Sequence, residues 1–257
     1  MNSKYQSFGL EDQVAIVTGA SQGIGRILAI ALAEAGAHIA LVSRNQLALD
    51  EVASEIDSLG RQALVVPTDI TVVSQIREMV SKVHAHFGKI NTLLNNAALT
   101  VTADALQVSE EEWDRTLDTS LKSVFFLCQT VAPIMIDQGK GKIINMGSTL
   151  GEVAFRTRSV YSAAKAGVHH LTRALALEWS AKGINVNSVG PCVTETPTRR
   201  EIFERPGYKE WALGQMLPIE RWAQPEDLIG ATLFLCSSLS DMVVGHTLMV
   251  DGGWIIH

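Results

Sequence analysis

The sequence is short of cysteine and of clustered positive charge. Its 257 residues include three cysteines, Cys128, Cys192 and Cys236, which form no C-x-x-C pair. An odd number of cysteines without such spacing predicts free thiols in a reducing cytoplasm, rather than a disulfide framework or a metal site. The formal net charge is −6 and no basic block is present, which argues against nucleic acid as the main partner.

Long apolar runs and linkers are also missing. The longest apolar stretch, residues 27–42, is broken by Glu34 and His38, so we expect no membrane span. Residues 1–12 are polar and lack the pattern of a targeting signal. No low-complexity segment, linker or repeat divides the chain, and 47% of it is hydrophobic. We expect one α/β domain over residues 1–257, with part of its surface covered in an oligomer.

Apolar runs of strand length alternate with helical patterns. The first run, V-A-I-V-T at residues 14–18, is typical of a parallel strand covered on both faces. Apolar residues then recur at helical spacing from Ile24 to Ala35, before Gly36. Further strands are predicted at residues 38–42, 63–66, 90–94, 143–146, 184–189 and 247–250. This alternation predicts a parallel sheet with right-handed crossovers.

The loop after the first strand contains three glycines. It reads Gly19-Ala20-Ser21-Gln22-Gly23-Ile24-Gly25. Glycines let the backbone turn tightly and approach a pyrophosphate, whose charge the following helix N-terminus stabilises. A tight strand-to-helix turn would explain the glycines alone, but the flanking strand and helix favour dinucleotide binding.

The end of the second strand bears on the choice of cofactor. An acidic residue there would bind the ribose hydroxyls of NAD, but this chain has Ser43-Arg44. A guanidinium pairs with a 2′-phosphate, which favours NADP(H) and leaves NAD(H) open. The alternative is a solvent-facing arginine at a helix start. Asp69 is placed to accept a hydrogen bond from adenine, or to cap the helix predicted from Thr71.

Three polar residues mark a candidate catalytic centre. Ser148 follows the strand at 143–146, and Tyr161 and Lys165 are spaced i and i+4 at the start of a predicted helix. Such spacing places phenol and ammonium on one helix face. A free phenol loses its proton only near pH ~10, and a nearby cation favours the phenolate. Tyr-x-x-x-Lys alone would suggest an ordinary helix surface; Ser148 and the glycine loop favour proton transfer.

Two further segments have distinct patterns. Ser109-Glu110-Glu111-Glu112 predicts a capping box that opens a long helix reaching Asp137. Residues 193–218 break the alternation, with three prolines and scattered basic residues. An irregular insertion after a strand's C-terminal end predicts a substrate lid.

Together these motifs resemble those of the short-chain dehydrogenase/reductase family. The resemblance spans nearly the whole chain, from Thr18-Gly19-x-x-x-Gly23-Ile24-Gly25 through Tyr161-x-x-x-Lys165 to Asp251-Gly252-Gly253. It implies a single-domain, Rossmann-type, doubly wound α/β fold with a seven-stranded parallel sheet. It also implies a nicotinamide cofactor and a homotetramer built on two long helices and the last strand.

The resemblance implies roles for individual residues. Tyr161 would be the general acid and base, Lys165 would favour its phenolate and hold the nicotinamide ribose, and Ser148 would bind the substrate oxygen. The cofactor would contact Gly19, Ser21, Gln22, Gly23, Ile24, Gly25, Ser43, Arg44, Asp69, Ile70, Asn95, Ala97, Tyr161, Lys165, Pro191, Val193, Thr194 and Thr196.

Three positions depart from the family pattern. Ser120 stands at the place of a catalytic asparagine that extends proton relay from the lysine, so the serine either holds a displaced water or weakens the relay. Ala98 replaces the glycine of Asn-Asn-Ala-Gly, which narrows the space under the cofactor. Cys192 replaces the glycine of Pro-Gly and places a thiol near the nicotinamide. A small apolar filler is favoured over a reactive nucleophile.

The main expectation is an NADP(H)-preferring oxidoreductase that interconverts a ketone and a secondary alcohol. Phe8-Gly9-Leu10 and Gly245-His246-Thr247 resemble the gluconate 5-dehydrogenase and sugar dehydrogenase branch, which favours a sugar acid or polyol. A 3-oxoacyl-carrier-protein reductase is the alternative within the family. A dinucleotide-binding regulatory protein without catalysis is the alternative of another class, motivated by Ser120. Four arginines that could meet an anionic substrate are given no role: Arg156, Arg158, Arg199 and Arg200.

Overall fold

A seven-stranded sheet organises the chain. The structure is a computed structural model that describes residues 8–197, 203, 207, 213 and 216–256. All strand pairs are parallel, in the order β3-β2-β1-β4-β5-β6-β7. This confirms the predicted Rossmann-type fold. The strands are β1 Val14–Thr18, β2 His38–Ser43, β3 Ala63–Pro67, β4 Thr92–Asn95, β5 Gly141–Met146, β6 Ile184–Pro191 and β7 Thr247–Val250.

Helices cover both faces of the sheet. They are α1 Gly23–Glu34, α2 Gln46–Ser58, α3 Val73–Phe87, α4 Glu110–Leu117, α5 Ser123–Asp137, α6 Ser159–Trp179 and α7 Ile229–Cys236. One apolar core lies beneath α1, α2 and α7, and a second beneath α3, α5 and α6. Because β1, β4 and β5 are buried along their length, they appear in sequence as apolar runs rather than alternating patterns.

The long helix predicted from Ser109 to Asp137 is interrupted. Its capping box forms, with Ser109 Oγ accepting a hydrogen bond from Glu112 N–H and the Glu112 carboxylate accepting from Ser109 N–H. Between α4 and α5, however, Asp118–Lys122 form one turn of π-helix. Such turns occur often at functional sites, and this one contains Ser120.

Residues 110–137 are also long and apolar enough, by length and composition, to cross a membrane. In the structure, part of the apolar surface of α5 is buried in the second core, and four of its apolar residues, Phe125, Phe126, Ile134 and Ile136, are only partly buried against it.

The sheet has its topological switch point between β1 and β4. The chain leaves these neighbouring strands toward opposite faces, which opens a crevice at their carboxyl ends. Thr18 Oγ1 accepts hydrogen bonds from the N–H groups of Asn96 at 3.0 Å and Ala97 at 3.1 Å. Asn96 Nδ2 donates in return to Thr18 O at 3.0 Å. These bonds fix the two strand ends on either side of the crevice.

Much of the predicted lid, residues 193–218, lies outside the described residues, including Arg199 and Arg200. Within the described part, Thr194 forms a parallel bridge with Ala223. A small apolar cluster beside the crevice contains Cys192, Phe203, Leu213, Met216, Leu217, Trp222 and Trp254. The lid remains a prediction.

Candidate active site

A cavity of about 950 Å³ occupies the crevice at the carboxyl ends of the strands. Most of the predicted site residues line it, and two of them, Asn95 and Ser120, do not. The predicted residues in its lining are Gly19, Ser21, Gln22, Gly23, Ile24, Gly25, Ser43, Arg44, Asp69, Ile70, Ala97, Ser148, Tyr161, Lys165, Pro191, Val193, Thr194 and Thr196.

The glycine loop forms one wall of the cavity at the N-terminus of α1. Gly19 has a left-handed backbone with φ of +67°, which glycine adopts without steric penalty. A Cβ at Gly25 would collide with the carbonyl oxygen of Gly19. Gln22, the N-cap residue, makes no side-chain hydrogen bond to the first turn of α1. The first N–H groups of this helix can therefore donate to a bound anion. This wall fits a dinucleotide pyrophosphate.

The adenosine end of the cavity contains Arg44 and Asp69. Asp69 Oδ1 accepts hydrogen bonds from Thr71 N–H at 2.9 Å and Thr71 Oγ1 at 2.7 Å. These bonds lower the pKa of Asp69, with a smaller contribution from Arg44. Asp69 thus closes a turn with Thr71 while lining the cavity. The prediction that it caps the following helix is wrong, because α3 begins at Val73 with Val72 as its N-cap residue.

Asn95, predicted to line the adenosine side, lies elsewhere. Its Nδ2 donates to Asn145 Oδ1 at 2.9 Å, and Cys128 Sγ lies 3.3 Å away, within the core. The next residue, Asn96, lines the cavity instead. Successive side chains along a strand point to opposite faces, so at the end of β4 one position decides between core and cavity.

Tyr161 and Lys165 come together on the first turns of α6. Lys165 Nζ lies 5.6 Å from the centroid of the Tyr161 ring. The lysine is only 2% exposed, and its Nζ donates to Met146 O, at the end of β5, at 2.6 Å. This bond ties α6 to β5 and places the ammonium beside the phenol.

Ser148 lies two residues after β5 and faces the same cavity. Its Oγ accepts a hydrogen bond from Leu150 N–H at 3.1 Å. Its own N–H donates to His169 Nε2 at 3.3 Å, and His169 Nδ1 lies 2.9 Å from Glu152 Oε1. Neither His169 nor Glu152 was predicted. One signal for the histidine was present, since it follows Tyr161 and Lys165 at i+8 and i+4 on one helix face.

Comparison with known proteins decides the family. Residues 19–255 match the family model described as enoyl-(acyl carrier protein) reductase, of the short-chain type. The chain is 39% identical over 251 residues to 2-dehydro-3-deoxy-D-gluconate 5-dehydrogenase of Dickeya dadantii, covering 97% of this chain and 98% of that one. The protein belongs to the short-chain dehydrogenase/reductase family.

Two further relatives show the range of this similarity. A 3-oxoacyl-[acyl-carrier-protein] reductase of Thermotoga maritima is 35% identical over 247 residues, covering 96% of this chain and 99% of the other. A crystal structure of gluconate 5-dehydrogenase from Burkholderia cenocepacia, with NADP and tartrate, is 35% identical with a TM-score of 0.94, covering 98% and 99%. This short-chain dehydrogenase/reductase is therefore an oxidoreductase that acts on CH–OH groups.

Ser120 has a different environment from the one its family position implies. The side chain is fully buried, and its hydroxyl donates to Leu99 O at 3.0 Å and accepts from Leu99 N–H at 2.9 Å. Its single proton is therefore committed to the main chain. Leu99 and the neighbouring Thr119 line the cavity, so Ser120 shapes the wall from behind.

Cys192 lines the cavity as a buried thiol. Burial and, to a smaller extent, the Asp251 carboxylate together raise the pKa of Cys192 to about 12. A thiol in this environment stays protonated at neutral pH and is a poor nucleophile, in agreement with its interpretation as an apolar filler. Ala98 also lines the cavity, as its position in the family motif implies.

Proposed function

We propose that this protein is an NADP(H)-preferring dehydrogenase/reductase that interconverts a ketone and a secondary alcohol on a sugar acid or polyol. The observation that carries this proposal is that Ser148, Tyr161 and Lys165 line the same cavity as the glycine loop. The relatives named above as gluconate-type dehydrogenases support the substrate class.

In the proposed mechanism, NADP(H), when bound, supplies or accepts the hydride. Ser148 Oγ donates a hydrogen bond to the substrate oxygen and stabilises its developing charge. Tyr161 transfers its phenolic proton to that oxygen during reduction and takes it back during oxidation. Lys165 stabilises the phenolate that Tyr161 becomes and holds the nicotinamide ribose. Ser148 and Tyr161 are mostly shielded from water, which strengthens these charge interactions.

Cofactor preference is assigned to Arg44. It is exposed at the end of β2 and lines the adenosine end of the cavity. A guanidinium there can pair with the 2′-phosphate of NADP(H), which NAD(H) lacks. The crystal structure of the Burkholderia relative contains NADP, in agreement with this preference.

Arg158 is the residue that we expect to bind the carboxylate of a sugar-acid substrate, although the sequence alone indicated no role for it. Arg158 is the N-cap residue of α6, three positions before Tyr161, and it lines the cavity. An arginine pairs with a carboxylate through two parallel hydrogen bonds, and a helix N-terminus adds positive potential. Arg156 is exposed and is not among the lining residues, so it serves as the matched control.

Initial rates with NADP⁺ and NADPH on a substrate panel test the proposal. The panel contains gluconate, its keto acids, a neutral polyol, a 3-oxoacyl thioester and an activated aryl ketone. We expect turnover of a sugar acid or polyol, and Arg158→Ala to raise the KM for the acid far more than Arg156→Ala does. Preferred turnover of the thioester would support the reductase alternative. Tight NADPH binding without turnover of any substrate would indicate a binding protein.

We also propose a cytoplasmic homotetramer that assembles through α4, α5, α6 and β7. The three cysteines are free and buried, as suits a reducing compartment. Trp113 on α4 remains 44% exposed, and large exposed apolar side chains are often covered in assemblies. Analytical ultracentrifugation of the purified protein tests this, since a monomer at micromolar concentration would contradict it.

A further inference from the structure

One face of α6 contacts the chain where it leaves β5 at two successive points. Tyr161, Lys165 and His169 are spaced i, i+4 and i+8, so they lie in one row along the helix. Lys165 Nζ donates to Met146 O at 2.6 Å, and His169 Nε2 accepts from Ser148 N–H at 3.3 Å. The helix that carries the phenol therefore also fixes the main chain of the serine.

Glu152 sets the tautomer of His169. His169 is 2% exposed, and its Nδ1 lies 2.9 Å from Glu152 Oε1. A carboxylate only accepts hydrogen bonds, so the shared proton resides on Nδ1. Nε2 then presents a lone pair, which is what the N–H of Ser148 requires.

The loop around Ser148 lies directly against the imidazole. A Cβ built on Gly147 would collide with His169 Nε2, and one built on Gly151 would come within 2.5 Å of His169 Cε1. Both glycines flank the serine, and no side chain intervenes between their backbone and the ring. A shift of the imidazole would therefore shift the loop and the Ser148 hydroxyl with it.

We propose that His169, oriented by Glu152, is a positioning residue that fixes Ser148 for hydrogen bonding to the substrate oxygen. This inference rests on the role of Ser148 in the proposed function. His169 itself does not line the cavity, so it acts through the serine. A gain of 1 Å in the freedom of a catalytic group can slow catalysis by about 100-fold.

The arrangement depends on a neutral imidazole. Burial lowers the pKa of His169, and the positive charges of Lys165 and Arg173 lower it further. The hydrogen bond and charge of Glu152 act in the opposite direction, but the net result is a lowered pKa. A protonated ring would place an N–H opposite the N–H of Ser148 and a second positive charge near Lys165. We therefore expect turnover to fall as the pH drops through this lowered pKa, below about 6.5.

Three variants and one control test the inference. His169→Leu removes the acceptor, and we expect kcat to fall about tenfold or more with NADPH affinity unchanged. His169→Gln offers an amide oxygen to Ser148 N–H without titrating, so it should keep kcat within about threefold and lose the acidic limb of the pH profile that His169 causes. Glu152→Gln permits the other tautomer of His169, and its kcat should lie between those of His169→Leu and His169→Gln. His170→Gln, on an exposed neighbour, should match the wild type.

A readout that needs no substrate accompanies the kinetics. The ¹⁵N spectrum of His169 should show the Nδ1–H tautomer at pH 7.5, and the amide shift of Ser148 should titrate with His169. The inference is overturned if the amide shift of Ser148 does not change with the protonation of His169. It is also overturned if His169→Leu keeps the wild-type kcat and the acidic limb of the pH profile while Tyr161→Phe is inactive. A wild-type protein inactive on the whole panel would instead overturn the proposed function, and the NMR titration would still decide the His169–Ser148 contact.

Discussion

The hydroxyl of Ser120 makes two hydrogen bonds to one residue, donating to Leu99 O and accepting from Leu99 N–H, at 3.0 and 2.9 Å. At the position of the family's asparagine, Ser120 therefore fixes the main chain of the segment that follows β4. Because Leu99 lines the cavity, the contact connects the π-turn to the shape of the site.

Replacing Ser120 with alanine should destabilise the protein by about 1–3 kcal/mol, because it leaves a buried N–H and carbonyl without a partner. Thermal unfolding measures this, with Ser54→Ala on the exposed surface of α2 as a control that should change stability by less than about 0.5 kcal/mol. An unchanged melting temperature for Ser120→Ala would show that the Leu99 contact does not matter.

Arg44→Ala should weaken NADPH binding by about 10–100-fold and leave NADH binding within about threefold, because only NADPH carries the 2′-phosphate. Calorimetric titration with both cofactors measures this, and Arg77→Ala, on the exposed side of α3, is the matched control. Equal weakening of both cofactors by Arg44→Ala would refute the role assigned to the guanidinium.

The same Gly→Ala change should have opposite effects at two positions. At Gly25 the new Cβ collides with Gly19 O, so we expect loss of NADPH binding and a lower melting temperature. At Gly230, on α7, the new Cβ would meet no atom within 4 Å beyond its chain neighbours and the backbone of its own helix, and alanine should stabilise the helix by about 0.5–1 kcal/mol. Retained cofactor binding in Gly25→Ala would contradict the packing described for the loop.

Cys192 should be chemically inert despite its place in the cavity. Burial raises the pKa of Cys128, Cys192 and Cys236 to about 12, so each thiol stays protonated well above pH 8. Native protein treated with iodoacetamide at pH 8 should show no rapid alkylation by mass spectrometry, and Cys192→Ala should retain turnover within a few-fold. Rapid labelling of Cys192 alone would indicate a reactive nucleophile.

The pH dependence of stability provides another test of the buried histidine. The unfolded chain binds a proton at His169 with the ordinary pKa, whereas the folded chain has a lowered pKa. Stability should therefore rise with pH from the lowered pKa up to about 6.5, where the unfolded state binds more protons. Urea unfolding from pH 5 to 8 gives the free energy of unfolding of wild type and His169→Gln. Wild type should show the steeper rise with pH, and the two curves should run parallel above pH 7.

The fold was largely predictable because its strands are buried on both faces. β1 and β7 have the predicted bounds, and β6 extends from 189 to 191. The π-turn at Asp118–Lys122 left no pattern in the sequence, since it depends on which main-chain groups pair. Asn95 was predicted to line the cavity but lies in the core, and its neighbour Asn96 lines the cavity instead.

The candidate site was predictable where chemistry depends on local spacing, as for Tyr161 and Lys165. Ser148 and the glycine loop were found because they follow strands whose carboxyl ends share one edge of the sheet. The His169–Glu152 pair was missed because it joins residues 17 positions apart through a loop whose path no local pattern indicates. A polar residue on the inner face of a helix gives no sign of its partner.

The proton-transfer role of Tyr161 is the central claim, and one measurement tests it most directly. Turnover of Tyr161→Phe with NADPH and the best substrate of the panel is compared with wild type, after calorimetry has shown equal cofactor affinity. Loss of the phenolic proton should reduce kcat by at least about 100-fold. A Tyr161→Phe protein that binds NADPH normally and retains wild-type kcat would contradict the account.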